Sequence, residues 1–208
     1  MGTIDIYCER TGPAFWAEPV NALTNLAFLV AAWALWRLAR REGALDAGAW
    51  ALIAIVTAIG AGSFAFHTLA TRPAMLADVI PILIFQLVWL FLYLRRAVGW
   101  GAMTALMPVG GYLALSMLMS AAPLGGSAMY LPALVVVLGI GAFHARAPRP
   151  GRYDLLAASA VLAVSLTFRT IDGAVCPAFL LGTHFLWHLL NGLVLYLAAR
   201  PVVLARRA

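Results

Sequence analysis

Residues 75–94 read MLADVIPILIFQLVWLFLYL and contain one charged side chain, Asp78. At about 1.5 Å of rise per residue, a helix of this length covers the roughly 30 Å of hydrocarbon in a bilayer. The stretch shows no alternation of polar and apolar residues, which favours a helix over a strand. It therefore predicts a transmembrane helix, and other parts of the chain repeat the pattern.

The composition excludes several classes of protein. Of the 208 residues, 64% are hydrophobic and 11% are charged, and the mean hydropathy is +0.94. A soluble domain of this size carries about 25% charged residues. The polar surface is too small to cover a globule in water, which excludes an ordinary cytosolic enzyme, a disordered chain and a nucleic-acid-binding domain.

Seven apolar runs of membrane-spanning length follow one another with short connections. We predict an all-α membrane protein whose single domain, residues 1–208, is a seven-transmembrane-helix bundle behind a polar outer tail at 1–19. The tail lacks the basic start of a signal peptide. The predicted helices are 20–38, 48–70, 75–94, 102–120, 127–145, 153–170 and 178–199.

The 14 basic residues are all arginine, and their distribution predicts the orientation. With seven spans, eleven of them fall on one side, and cytoplasmic loops carry the excess of basic residues. We therefore expect the N-terminus outside and the C-terminus in the cytoplasm. The absence of lysine and the abundance of alanine suggest a bacterial inner membrane. The three arginines on the other side are Arg10, Arg72 and Arg169.

Both cysteines fall on the outer side of this topology. Cys8 lies in the tail and Cys176 in the loop before the last helix. An oxidising compartment allows a disulfide between them to persist, and two buried free thiols are the alternative.

Ionisable side chains inside a bilayer are costly and usually face the bundle interior. Ser63 and His67 are four residues apart on one helix face, and so are His184 and His188. The topology brings these four and Asp78 to the outer half of the membrane. Gly60 and Gly62, in the same segment as Ser63, allow a neighbouring helix to approach closely. The fourth histidine, His144, falls at the inner end, and we expect it to lie outside the site.

Three imidazoles at one depth are typical of a zinc site with a water in the fourth position. In such a site Asp78 can move a proton and Ser63 can donate to a developing oxyanion. Two alternatives remain for these polar residues: a hydrogen-bonded network that holds the helices together, and the proton relay of a transporter. Ser63 has an alternative of its own, a hydrogen bond to a carbonyl of its own helix. A hydrolytic zinc inside a membrane implies a lipid substrate with an amide or ester bond.

Three motifs resemble those of the alkaline ceramidase family. They are CERTGPAFWAEPVNALTNLAF at 8–28, GAGSFAFHTL at 60–69 followed by Asp78, and HFLWH at 184–188. They touch the first three helices and the last one, while the middle helices match only as apolar spans. The wider superfamily, with the progestin and adipoQ receptors and the haemolysin III-like proteins, shares seven helices and a three-histidine zinc site.

The resemblance implies a zinc-dependent hydrolase that cleaves ceramide-like N-acyl lipids to a fatty acid and a sphingoid or related amine. It implies zinc on His67, His184 and His188, catalytic roles for Ser63 and Asp78, and a disulfide between Cys8 and Cys176. A seven-helix receptor is the alternative within the superfamily. The expected partner is a membrane lipid, with no nucleic acid and no obligate protein partner.

The resemblance also implies a calcium site in the tail, formed by Tyr7, Glu9, Thr11 and Glu18. The match is incomplete, because Ile6 and Thr11 stand where the family pattern has an aspartate and an asparagine. Calcium takes six to eight oxygen ligands. The alternative is that the two glutamates pair with Arg10, Arg169 or the loop backbone.

Overall fold

The structure is a computed structural model that describes residues 3–121 and 126–205. The described residues form helices and loops without a strand, which confirms the predicted all-α class. A 3-10 turn spans Ala128–Tyr130, and a π-helical turn spans Leu94–Val98. The helices are α1 (Pro19–Thr24), α2 (Leu26–Arg41), α3 (Ala47–Leu69), α4 (Arg72–Tyr93), α5 (Ala102–Ala121), α6 (Leu131–His144), α7 (Asp154–Val175) and α8 (His184–Leu204).

Six helical segments of the described chain are long and apolar enough to cross a membrane, by length and composition. A further apolar segment, Ala128–His144, is shorter. Large apolar side chains are exposed on the outside of the bundle, among them Met103, Met107 and Leu118 of α5. Such a surface suits contact with lipid tails rather than water. The six spanning segments are Pro19–Arg41, Ala47–Leu69, Arg72–Val98, Ala102–Ala121, Asp154–Val175 and His184–Leu204.

Several of the predicted helices differ from the observed ones. The sixth, 153–170, continues to Val175, and the third, 75–94, begins earlier, at Arg72. The first, 20–38, is divided at Asn25 into α1 and α2, and it runs on to Arg41. The last, 178–199, was wrong at both ends, since α8 begins at His184 and ends at Leu204. α8 continues through Pro201 to Leu204, with the loss of one backbone donor at the proline. His184 is therefore the first residue of its helix, not a residue two turns inside it.

A tight connection joins α3 to α4 at the end of the bundle that holds the histidines. Ala70 has φ 48°, the left-handed conformation that ends α3. The Thr71 hydroxyl then accepts from the backbone N–H of Ala74 and caps α4. The two helices pack closely beyond this turn, since a Cβ on Gly62 would lie 1.9 Å from the carbonyl oxygen of Ala77. The expectation of a close helix approach at Gly62 is confirmed.

Ion pairs at the opposite end of the bundle join the other helix termini. Arg96, after α4, lies 2.8 Å from the carboxylate of Asp46, which caps α3. Arg200 of α8 lies 2.5 Å from Asp154, the first residue of α7. The bundle therefore has an arginine-rich end, where these ion pairs lie, and an opposite end that holds the histidines. The fully buried core between them includes Leu35, Leu52, Val56, Ile59 and Leu155.

Candidate metal centre

Three histidines from two helices meet at one end of the bundle. His67 lies in the last turn of α3, and His184 and His188 lie in the first two turns of α8. One ring nitrogen of each lies within 4.8 Å of the others. All three residues are at most 2% exposed. Within the described parts of the chain, these histidines are the one group of His, Cys, Asp or Glu side chains placed closely enough to hold a metal ion.

Each of the three histidines has one buried ring nitrogen without a hydrogen-bond partner. These atoms are Nε2 of His67, Nδ1 of His184 and Nε2 of His188. Buried polar atoms in native proteins are nearly always paired, so three unpaired nitrogens in one cluster of histidines need an explanation. A cation bound by neutral imidazoles supplies it, and these residues fit Zn²⁺, which takes three histidines readily.

The opposite nitrogens of two of the rings are held by oxygen atoms. Nδ1 of His67 lies 2.5 Å from Oε2 of Glu18, and Nδ1 of His188 lies 3.0 Å from Oγ1 of Thr24. When Nδ1 carries the proton and donates to these oxygens, each ring keeps the Nε2 lone pair free. Supporting contacts of this kind orient the histidine ligands of metal sites.

Glu18 is the centre of a buried polar cluster. Its carboxylate accepts hydrogen bonds from Nε of Arg10 and, at 3.1 Å, from the amide of Asn21. Arg10 also donates to the carbonyl oxygen of His67 at 2.9 Å. Burial acts to raise the pKa of Glu18, but the interactions with His67, Asn21 and Arg10 outweigh it and hold that pKa below its ordinary value. The carboxylate is therefore charged at neutral pH.

The N-terminal tail covers the metal centre. The ring of Tyr7 stacks on the ring of His184 with 3.6 Å between centroids, and burial raises the pKa of the Tyr7 hydroxyl. Cys8 and Cys176 lie at disulfide-bonding distance with Cα atoms 5.4 Å apart. The expected pair is thus present, and it fixes the tail beside the first turn of α8.

Asp172 of α7 anchors the start of α8. Its Oδ1 accepts from the backbone N–H groups of Thr183 at 2.7 Å and His184 at 2.9 Å. Its Oδ2 accepts from the N–H of Cys8 at 2.9 Å. A carboxylate at the N-terminus of a helix also interacts favourably with the helix dipole. One side chain therefore sets the position of His184 and of the tail together.

Ser63 and Asp78 form a pair beside the histidines. Ser63 is one turn before His67 on α3, and its side chain hydrogen-bonds that of Asp78 on α4. The close approach of the two helices at Gly62 makes this contact possible. The structure thus brings together all five residues that the sequence singled out for zinc and catalysis.

The residues expected to bind calcium have other contacts. The carboxylate of Glu9 accepts from the N–H groups of Val20 and Asn21 at the start of α1, both at 2.7 Å. The carboxylate of Glu18 is shared by Arg10, Asn21 and His67, and Thr11 is exposed. These contacts match the alternative in which the glutamates pair with Arg10 and the loop backbone. Calcium binding stays a prediction.

His144 lies at the arginine-rich end, far from the other three histidines along the bundle. Its Nδ1 is 2.9 Å from the hydroxyl of Tyr93, and its Nε2 is 3.1 Å from the carbonyl oxygen of Pro150. Both ring nitrogens are thus paired within the protein, in contrast to the histidines of the metal centre.

An apolar cavity begins next to the metal centre and continues toward the arginine-rich end. Along α8 it follows Trp187, Asn191, Val194 and Ala198. Along α4 it begins at Ile82, one turn after Asp78. The cavity is open on one side, and apolar side chains form nearly all of its lining.

Sequence reasoning missed the supporting roles of Thr24, Asp172 and Tyr7. Thr24 is one of the polar residues, with Glu18 and Asn21, that recur every three positions in an otherwise apolar segment. This spacing was the signal that could have indicated its role. The contact of Asp172 with α8 joins residues 12 positions apart around a loop, and no local pattern encodes it.

No family model matches the chain, and no curated protein matches it at a significant level.

Proposed function

We propose that the protein is an intramembrane zinc-dependent amide hydrolase, related to the alkaline ceramidases, that cleaves ceramide-like N-acyl lipids to a free fatty acid and a sphingoid or related amine. The observation that carries the proposal is the cluster of three buried histidines, in which one ring nitrogen of each lies within 4.8 Å of the others and each ring has an unpaired nitrogen. The Ser63–Asp78 pair beside them supports hydrolysis over a purely structural metal site.

His67, His184 and His188 would hold the metal. When bound, Zn²⁺ would lower the pKa of a water molecule and polarise the amide carbonyl. Asp78 accepts the proton of the water that attacks the carbonyl carbon, and it delivers a proton to the amine nitrogen as the C–N bond breaks. The products are therefore a carboxylic acid and a free amine, with no other reactant.

Ser63 acts on the oxygen of the same carbonyl. While Asp78 is ionised, the serine hydroxyl donates to its carboxylate. Once Asp78 carries the proton, the acid can donate to Oγ of Ser63 instead, which frees the serine hydroxyl to donate to the developing oxyanion. The two side chains thus change roles together during one turnover.

The apolar cavity supports a lipid as the substrate. Its lining includes Ile82, one turn after Asp78 on α4, and Asn191, three residues after His188 on α8. An acyl chain that enters the cavity from this end would have its carbonyl on the side of the histidines. An acyl chain that moves from the lipid tails into such a cavity remains in apolar surroundings and is not exposed to water.

We further propose the seven-span topology, with Ala128–His144 as the short additional span. The arginine-rich end then faces the cytoplasm and the metal centre faces the outside. In a bacterial inner membrane, the site would open toward the periplasm, where the cysteine pair can remain oxidised.

Metal analysis and a lipid screen of the same preparations test the proposal. We expect wild type to carry one zinc per chain and to release fatty acid from N-acyl lipids, as followed by mass spectrometry. The His188→Ala variant is expected to lose both properties, while His144→Ala keeps both. Zinc without cleavage of any N-acyl lipid would favour the receptor. A proteoliposome flux that survives His67→Ala but not Asp78→Asn would favour the transporter.

A further inference from the structure

Asn191 of α8 brings a side-chain amide into the lining of the apolar cavity. It is 8% exposed, and its amide nitrogen is buried without a hydrogen-bond partner. Two other polar groups of the lining are paired: the amide oxygen of Gln86 accepts from the hydroxyl of Tyr112 at 2.9 Å, and the indole N–H of Trp89 donates to the carbonyl oxygen of Ala198 at 2.8 Å. An unpaired buried donor destabilises the protein, so a ligand oxygen that pairs with it would bind selectively.

The distance of Asn191 from the metal centre indicates where that oxygen lies on a ligand. Asn191 follows His188 by three residues, so the two side chains share a face of α8 about 4.5 Å apart along its axis. Three single bonds in an extended zigzag advance about 3.8 Å, which is close to this distance. On an acyl chain whose carbonyl lies at the metal centre, three bonds lead from the carbonyl carbon to an oxygen on carbon 3.

We propose that Asn191 selects acyl chains that carry a hydroxyl group at carbon 3. The amide of Asn191 donates to the hydroxyl oxygen and can accept from the hydroxyl hydrogen. A plain acyl chain fills the same cavity but leaves the amide nitrogen unpaired. This inference rests on the proposed hydrolase function and specifies its substrate.

The direct test compares two amides of one sphingoid base, N-(3-hydroxyhexadecanoyl) and N-hexadecanoyl, with the zinc-loaded full chain in detergent. We expect wild type to prefer the hydroxylated substrate about tenfold in kcat/KM, because a site with an unpaired donor discriminates against a ligand that lacks the acceptor. Asn191→Leu is expected to abolish the preference by slowing the hydroxylated substrate. Gln86→Leu removes another amide from the cavity and is expected to keep the preference.

Fatty acid binding gives a second readout that does not depend on catalysis. Trp187 and Trp89 line the cavity, so their fluorescence should report 3-hydroxyhexadecanoate and hexadecanoate as they bind. We expect tighter binding of the hydroxy acid to wild type and equal binding of both acids to Asn191→Leu. If the Asn191→Leu variant does not fold, the same binding measurement is made on Asn191→Ser.

Equal handling of the two chains by wild type, or a preference that persists in Asn191→Leu, would overturn the inference. Cleavage of neither amide would instead overturn the proposed function. The fatty acid binding would still decide the role of Asn191, because selective binding lost in the variant supports it and equal binding in wild type contradicts it.

Discussion

The carboxylate of Glu18 lies 2.5 Å from Nδ1 of His67, on the side of the ring away from the unpaired Nε2. Glu18 is at the end of the N-terminal tail, and His67 is in the last turn of α3. Their contact therefore joins the tail to the three-histidine cluster. Arg10 strengthens this link, since it bonds both the Glu18 carboxylate and the carbonyl of His67.

Replacing Glu18 should weaken zinc binding. In Glu18→Gln the charged acceptor for His67 is lost, and loss of such a partner costs about 10–100-fold in metal affinity. Competition with a chromophoric chelator measures the change. Glu9→Gln is the matched control, because Glu9 bonds only backbone N–H groups at the start of α1 in the described contacts. Equal zinc affinities for the two variants would contradict a supporting role for Glu18.

Asp78 and Ser63 should separate catalysis from metal binding. Asp78→Asn removes the proton acceptor, and we expect kcat to fall by about 10²–10⁴-fold with the zinc content unchanged. Ser63→Ala removes a hydroxyl donor and is expected to lower kcat by about 10²–10³-fold. The measurements are fatty acid release and metal analysis on the same samples. Full activity in Asp78→Asn would exclude the proposed proton transfer.

Enlarging Gly62 should disturb the pairing of α3 with α4. A methyl group there would lie 1.9 Å from the carbonyl oxygen of Ala77, so the helices must move apart. We expect Gly62→Ala to destabilise the protein by about 1–3 kcal/mol and to lower activity by separating Ser63 from Asp78. Thermal unfolding in detergent measures the first effect. Gly110→Ala on α5 is the control, because its Cβ would meet no atom within 4 Å.

Reducing the cysteine pair should loosen the tail. The bond would close a loop of 168 positions, for which chain entropy predicts a stabilisation of about 4–5 kcal/mol. A reductant is expected to lower the Tm of wild type and its zinc affinity, since Tyr7 packs on His184 next to the bridge. The Cys8→Ser/Cys176→Ser double variant should resemble reduced wild type and ignore the reductant. A reductant effect of equal size on that variant would assign the change to another group.

Asp46 should give a stabilisation that depends on pH. Burial acts to raise its pKa, but the N–H of Ala49 and the guanidinium of Arg96 outweigh it and lower that pKa. Because the folded value lies below the unfolded one, the contribution is present at neutral pH and is lost as the pH falls through the folded pKa. Asp46→Ala should cost about 1 kcal/mol at pH 7 through the lost helix cap. The difference in Tm from wild type should shrink below about pH 4, and a constant difference would contradict the assignment.

Much of the site could be predicted from the amino-acid sequence because intramembrane polar residues are few. Ser63, His67, Asp78, His184 and His188 interrupt apolar runs, and the alternation of helix directions places them at one end of the bundle. The same reasoning separated His144 from them. The ends of α8 were predicted wrongly, because apolar loop residues before His184 have the same hydropathy as a helix.

The contacts that support the histidine rings could be identified only from the tertiary structure. Glu18 bonds His67 across 49 positions, and Thr24 bonds His188 across 164. Side-chain partners over such separations depend on how the helices pack and where the tail lies, which no local pattern encodes.

The sequence by itself determined an all-helical chain of membrane-length apolar segments and the set of polar residues inside it, because hydropathy and helical periodicity act locally. Only the tertiary structure decided that the three histidines lie together with an unpaired nitrogen on each, that Glu18 and Thr24 contact two of the rings, and that Asn191 lines an apolar cavity. These features arise from the packing of α2, α3, α4 and α8, where a shift of a few ångströms changes which atoms meet.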